Sequence, residues 1–392
     1  MRKAGLLSAL LVLIVGLSVG GVYAVTRPSE RAEVQAGLSI AEALGSRADA
    51  GFARALGPRE FRFPRDHGPH ADYGIEWWYF TGNLETSSGR HFGYELTLFR
   101  IGLAAEPAEG RSDWGASQVF MGHFALTDVE EDKFYAFERF SRQALGLAGA
   151  ASSDDGFRVW LEDWSVQGKG QREPTVKLVA SEEGVSIDLS LTSAKPLVLQ
   201  GENGLSRKSA EEGNASYYYS ITRMPTSGVI IVGGEEFVVQ GSSWMDREWG
   251  TTALSDDQVG WDWFALQLSD GRDLMYYQLR RKDGRVDPFS SGTLVLSDGS
   301  AIPLTPRDVR IDVLETWRSP LGNEYPSRWR LKIPSAGLEL EVVPYAKNQE
   351  LDLSVTYWEG AVRVSGTGDG SPIQGQGYVE MTGYGGKSGG RS

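Results

Sequence analysis

The chain has no cysteine and only four histidines among its 392 residues. The first absence removes disulfides, thiolate zinc sites, iron–sulfur clusters and a cysteine nucleophile together. Basic residues are in deficit: 39 Lys and Arg stand against 52 Asp and Glu, a net charge of −13. Nucleic-acid binding and polybasic attachment to anionic lipid both need a basic face, so the charge argues against either. There is no G-x-S-x-G nucleophile elbow and no P-loop. The glycine-rich stretches 366–377 and 383–390 do not lie between a strand and a helix, so neither is a phosphate loop. Helix signals nearly vanish after Phe61. What remains is glycine and aromatics: 49 Gly, 12 Trp, 15 Tyr and 15 Phe. That mixture leans all-β.

The N-terminus has the pattern of an export segment. Arg2 and Lys3 precede an apolar run over 4–25, as in a signal peptide or an uncleaved anchor. Val22-Tyr23-Ala24 offers a small-residue cleavage site after Ala24. About 20 apolar residues also suffice to span a bilayer, which keeps the inner-membrane anchor open. A bacterial periplasm suits a chain without cysteine. Residues 26–59 read as a linker with a short helix at Ser39–Leu44.

From residue 60 onward, short β-type runs alternate with turns, the even spacing expected of sandwiches or barrels. Gly233-Gly234 and Asp298-Gly299 mark hairpins. One internal repeat supports two tandem β-barrel domains, at 60–240 and 241–385, with a tail at 386–392. Trp77 aligns with Trp261, Phe80 with Phe264, Leu84 with Leu268, Gly89-Arg90 with Gly271-Arg272 and Tyr94 with Tyr276.

Two clusters carry candidate chemistry. In the first, Asp66, His67, His70, Asp72 and Glu76 precede Trp77-Trp78-Tyr79. A carboxylate beside a histidine poises it as a proton carrier. A metal site of N and O ligands is disfavoured, because Gly68-Pro69 breaks any helix that would align both rings. A loop whose His and Asp side chains satisfy backbone groups is the plainer reading. Glu76 is either catalytic or the partner of an arginine such as Arg100. The second cluster is Ser243-Trp244-Met245-Asp246-Arg247-Glu248-Trp249-Gly250, followed by Gly260-Trp261-Asp262-Trp263-Phe264. On a strand, Asp246 and Glu248 share a face, and so do Trp261 and Trp263. Two carboxylates on one face divide acid and base roles if burial raises one pKa. An Arg–carboxylate network closing a barrel end over a tryptophan plug explains the same residues equally well.

These clusters, with Tyr357-Trp358-Glu359-Gly360-Ala361-Val362 and Gly377-Tyr378-Val379-Glu380-Met381-Thr382-Gly383-Tyr384, resemble the AttH-type family. Its members are exported lipocalin-like proteins related to carotenoid 1,2-hydratase. The resemblance runs from Phe61 to Tyr384. It implies two lipocalin-like β-barrels and, for the hydratase branch, cofactor-free addition of water to an isolated double bond of an acyclic carotenoid. Such chemistry needs a neutral carboxylic acid as proton donor and aromatic faces for the cation. The proton-handling candidates are Asp246, Glu248, Glu76 and His67. The ligand-wall candidates are Trp77, Tyr79, Trp249, Trp261, Trp263 and Tyr276. No metal or cofactor is expected. The expected partner is a long apolar molecule, an isoprenoid or lipid. The rival readings are a non-enzymatic carrier and an accessory protein of an envelope transporter, whose barrel interior would be filled with aromatics.

Overall fold

The computed structural model describes residues 51–105, 117–251 and 254–385. The expected export segment, the helix at Ser39–Leu44 and the tail 386–392 lie outside them. The segment read as a linker packs on the fold from Phe52 onward, with Phe52 and Ala55 buried.

Thirteen strands make the first sheet: β1 (Ile75–Thr86), β2 (His91–Gly102), β3 (Gln118–Asp128), β4 (Lys133–Arg142), β5 (Ala148–Ser153), β6 (Gly156–Leu161), β7 (Trp164–Lys169), β8 (Thr175–Glu182), β9 (Val185–Thr192), β10 (Val198–Leu199), β11 (Leu205–Arg207), β12 (Ala215–Val232) and β13 (Glu235–Gly250). Their order is β4-β3-β2-β1-β13-β12-β9-β8-β7-β6-β5, with β10 and β11 beside β12. The sheet curls until its ends meet. Phe124 of β3 packs edge-on against Trp164 of β7 with centroids 5.8 Å apart, and Arg139 of β4 donates to Glu182 at the end of β8 at 2.7 Å. The Gly233-Gly234 turn joins β12 to β13 directly, Val232 pairing with Glu235. Both glycines take positive φ, 60° and 85°, as the twist of a two-residue hairpin requires.

The second sheet has ten strands: β14 (Gln258–Leu268), β15 (Asp273–Arg281), β16 (Ser291–Val295), β17 (Ala301–Leu304), β18 (Arg310–Arg318), β19 (Glu324–Ile333), β20 (Leu338–Pro344), β21 (Glu350–Asp352), β22 (Thr356–Gly368) and β23 (Ser371–Met381). They run β17-β16-β15-β14-β23-β22-β20-β19-β18, with β21 beside β22. The architecture is thus the expected all-β pair of barrel-like sheets, the first nearly closed and the second a half-barrel. The division expected after Gln240 falls inside β13, whose ladder with β1 continues to Gly250. The chain changes sheets between Gly250 and Gln258, because the Trp244–Trp249 stretch completes the first barrel instead of opening the second.

Each sheet fills its own interior. Trp78, Phe80, Tyr94, Leu96 and Trp164 belong to the first core. Phe264, Leu266, Tyr276, Trp329 and Trp358 belong to the second. The outer faces of β1, β2, β12 and β13 then pack on those of β14, β15, β22 and β23. Gln267 donates to the carbonyls of Thr222 (2.8 Å) and Ser243 (3.0 Å) across this junction, and Asn83 to that of Gly377 (2.9 Å). Gly93 lets the sheets approach: a Cβ there would stand 2.4 Å from Cβ of Ala361. Gly93→Val is therefore expected to cost about 1–3 kcal/mol by overpacking. Ala361→Gly in the same chain should recover part of it in urea unfolding. No recovery would contradict the close approach.

Candidate functional site

Strand alternation sorts the two clusters. Along β13, Met245, Arg247 and Trp249 point into the first barrel, while Trp244, Asp246 and Glu248 point out of it toward the second sheet. Along β1, Trp78 and Phe80 point in; Trp77 and Tyr79 point out. Trp261 and Trp263 of β14 likewise leave their own barrel and face the first sheet. The two outer faces enclose a cavity with about 80 Å3 of room for water centres, enough for several waters. Aromatic and aliphatic side chains pack both barrel interiors, and the space lies between the sheets.

The register draws the wall as rows. Thr97, Tyr79, Asp246 and Ser220 stand opposite one another across β2, β1, β13 and β12. The next row is Phe99, Trp77, Glu248 and Tyr218. On the second sheet, Tyr277, Trp263, Glu380 and Glu359 form a row across β15, β14, β23 and β22. Half-buried Trp77, Leu254 and Trp261 form the rim, and buried Thr97, Tyr357 and Glu359 form the floor.

Carboxyls without cations dominate the electrostatics. Asp246 accepts from Trp244 Nε1 (2.7 Å), Ser220 Oγ (2.5 Å) and the hydroxyl of Tyr218, which itself accepts from Trp263 Nε1 at 3.1 Å. Burial still pushes Asp246 up to about 7, with nearby Glu248 adding to the rise against those donors. Half-buried Glu380 is pushed up to about 8 by desolvation and by Glu248 and Asp246, partly offset by a hydrogen bond from Trp261. Glu95 and Glu359 are pushed well above the carboxylate range by burial, with Glu380 repelling both. Glu95 Oε2 and Glu359 Oε1 have no hydrogen-bond partner among the described residues. A buried unpaired anion is costly, so these side chains are held neutral. Lys208 is the one cation on the wall among the described residues. It is committed to Glu248 (2.9 Å) and sits 4.6 Å from the ring centroid of Tyr277.

Four sequence candidates lie elsewhere. Glu76 is fully buried inside the first barrel and paired with both Arg100 and Arg247. Burial alone would raise its pKa, but the two guanidiniums hold it far below the usual range. It is the arginine partner, because even-numbered positions of β1 face the barrel interior. His67 is buried between the hydroxyl of Tyr219 (2.6 Å) and the carbonyl of Gln171 (2.8 Å). Desolvation drives its pKa down to about 4, leaving it neutral and away from the cavity. Trp249 stacks on His70 at 3.7 Å inside the first barrel, where Arg247 also lies 3.9 Å over Trp78. Tyr276 is in the core of the second barrel; its neighbour Tyr277 lines the cavity. The Arg–carboxylate plug and the paired carboxylates therefore both exist, on opposite faces of β13. Among the described residues no group of three His, Asp or Glu side chains is arranged to hold a metal.

Sequence reasoning missed Glu95, Lys208, Tyr357, Glu359 and Glu380. Tyr217-Tyr218-Tyr219 reads from sequence either as a plain strand or as a cavity wall, and Tyr218 does line the cavity. Glu359 and Glu380 lie in the motifs Tyr357–Val362 and Gly377–Tyr384, where a lone glutamate among apolar neighbours was the available signal.

Two barrel-like sheets joined across a carboxyl- and aromatic-lined cavity define a lipocalin-like protein. The chain belongs to the AttH-like family, which it matches over residues 54–384. It is 34% identical to an AttH protein of Nitrosomonas europaea over 85% of this chain and 100% of that one, with a TM-score of 0.74. Kievitone hydratase from Nectria haematococca shares the fold at 17% identity and a TM-score of 0.62, over 84% of this chain and 95% of its own. CghA, solved with Sch210972, shares it at 14% identity and a TM-score of 0.53, over 86% and 97%. No curated protein matches the chain.

Proposed function

We propose that the protein takes the unsaturated end of an apolar, isoprenoid-like molecule into the inter-sheet cavity and adds water across a double bond without a cofactor. The observation that carries this reading is a neutral carboxylic acid, Glu380, beside Asp246, whose pKa of about 7 leaves it able to accept a proton. The wall's one cation among the described residues, Lys208, is committed to Glu248, and tryptophan and tyrosine rings face the pair. The small cavity suits the end of such a molecule, with the rest emerging past Trp77 and Trp261. A fold neighbour that is a hydratase agrees with the reading.

Glu380, with the higher pKa and one hydrogen bond from Trp261, is the donor. Its proton goes to one alkene carbon, the π pair forming the C–H bond. The tertiary cation left behind is stabilised by the faces of Trp263, Trp261 and Tyr277. Water oxygen bonds to that cation, and its surplus proton passes to Asp246, whose pKa of about 7 suits an acceptor. Alkene plus water gives alcohol. Export to the periplasm, with or without retention of the N-terminal anchor, belongs to the same reading: an apolar substrate reaches the site from the membrane.

The test is to purify the protein from a lysate rich in lipids and carotenoids, extract it with solvent, and identify the released molecule by mass spectrometry. A stoichiometric isoprenoid or polyene is expected. Trp261→Ala should retain several-fold less of it, while Tyr276→Phe, altered only in the second core, should retain as much as the parent. An empty extract even after an acyclic carotenoid is added, or equal retention by Trp261→Ala, would overturn the reading in favour of the transporter accessory.

A further inference from the structure

Behind the cavity floor lies a second line of polar groups that the addition chemistry does not use. His123 of β3 is wholly buried at the junction of the sheets. Its Nδ1 is 2.6 Å from the hydroxyl of Tyr357 on β22, and its Nε2 is 3.0 Å from Glu138 Oε1 on β4. Glu138 is partly open to solvent and also accepts from Ser354 Oγ at 2.6 Å. On the cavity side, Tyr357 is part of the floor with Thr97 and Glu359. Thr97 stands directly opposite His123 and donates to Glu95; Tyr79 donates to Glu359 at 3.0 Å. Glu138, His123, Thr97, Tyr79 and Asp246 fall on one cross-strand row from the edge of the first sheet to the site.

We infer that Glu138, His123 and Tyr357 form a proton relay from solvent to the glutamates Glu95, Glu359 and Glu380. The inference rests on the reading that those carboxyls are the neutral acids of the site. The rim is where an apolar ligand would sit and exclude water, so Glu380, which has lost a proton, and Asp246, which has gained one, exchange protons with solvent by another route. An imidazole with a partner on each nitrogen is suited to this. Burial raises the Glu138 carboxyl, but His123 and Ser354 outweigh it and hold Glu138 below its ordinary value, so it stands as a carboxylate that passes an incoming solvent proton straight on. That proton is taken at Nε2 as Nδ1 releases one to the oxygen of Tyr357, which passes its own hydroxyl proton on. The last transfer crosses the floor through the several waters for which the cavity has room. A histidine that only pinned the two sheets together would need neither a solvent-open carboxylate behind it nor a cavity-lining hydroxyl ahead of it.

The experiment follows proton arrival with the rim occupied by squalane, a saturated isoprenoid that fills the site and cannot be hydrated. The full chain is shifted rapidly from about pH 9 to about pH 6, a window that brackets the Glu380 titration near 8. The infrared carbonyl band of neutral carboxylic acid is followed in time. In the parent the band should rise quickly. In His123→Gln, Tyr357→Phe and the surface variant Glu138→Gln it should reach the same amplitude about ten-fold more slowly. Added imidazole should restore the rate in His123→Ala by filling the vacated space. Unchanged rates in all these variants, whatever their melting temperatures, would overturn the relay. A parent with no such band at any pH would remove the acids themselves, and thereby the function proposed above along with the relay.

Discussion

Glu76→Gln is expected to be among the most destabilising single substitutions in the chain. It leaves Arg100 and Arg247 buried, with no carboxylate between them. Each keeps backbone partners: Arg100 the carbonyls of His70 (2.9 Å) and Tyr73 (2.7 Å), Arg247 that of Gly68 (2.7 Å). Carbonyls satisfy N–H groups but do not neutralise two desolvated charges, and removing one partner of a buried pair costs about 3–5 kcal/mol. Urea unfolding should show the loss directly. The pH dependence has a definite sign. Glu76 has a folded pKa below its ordinary 4.5, so its contribution is full above that value and is lost as pH falls toward the folded pKa. The parent should therefore lose stability in acid more steeply than Glu76→Gln. A variant within about 0.5 kcal/mol of the parent, the range of an ordinary surface change, would show that the pair does not hold the barrel end.

The second large effect separates activity from stability. Glu380→Gln should lose about 100-fold or more of hydration rate, the usual contribution of a general acid, and Asp246→Asn a comparable factor. Both should be more stable than the parent at neutral pH. Their folded pKa values, about 8 and about 7, lie above the ordinary 4.5 and 3.8. Below those ordinary values both states hold the proton and nothing is contributed. As pH rises from there toward 7 or 8, the unfolded chain releases a proton that the folded chain keeps, so stability falls. An amide has no such slope. Melting temperatures should therefore converge with the parent near pH 4 and exceed it by about 2–4 °C or more near neutrality. Parent turnover should fall as pH passes about 8, where Glu380 loses its proton. Equal melting profiles for parent and variants would show that neither carboxyl is held neutral.

Much of this was legible in the sequence because strands write their faces at every second residue. The pairing of Asp246 with Glu248 and of Trp261 with Trp263 needs nothing more, and both pairs do meet at one cavity. Alternation does not say which face is the inside of a barrel. Glu76, His67 and Trp249 are therefore candidates from sequence, and their burial within the first barrel removes them from the site. Tyr276 was recoverable. The internal repeat aligns it with Tyr94, and both sit in the cores of their own sheets, as do Phe80 with Phe264 and Leu84 with Leu268. The repeat also aligns Trp77 with Trp261, and both line the cavity. Glu95 was not recoverable, and Glu359 and Glu380 were legible only as lone glutamates among apolar neighbours, without a role. Their chemistry arises only when two sheets, far apart in the chain, bury them against each other.

The most direct test of the central claim is incubation of the purified protein with an acyclic carotenoid in heavy water, followed by mass spectrometry of the product. The account requires an alcohol carrying one deuterium on the carbon next to the new hydroxyl-bearing carbon, formed by the parent and by Tyr276→Phe but not by Glu380→Gln. An unchanged carotenoid, or the same labelled alcohol formed equally well by Glu380→Gln, would contradict it.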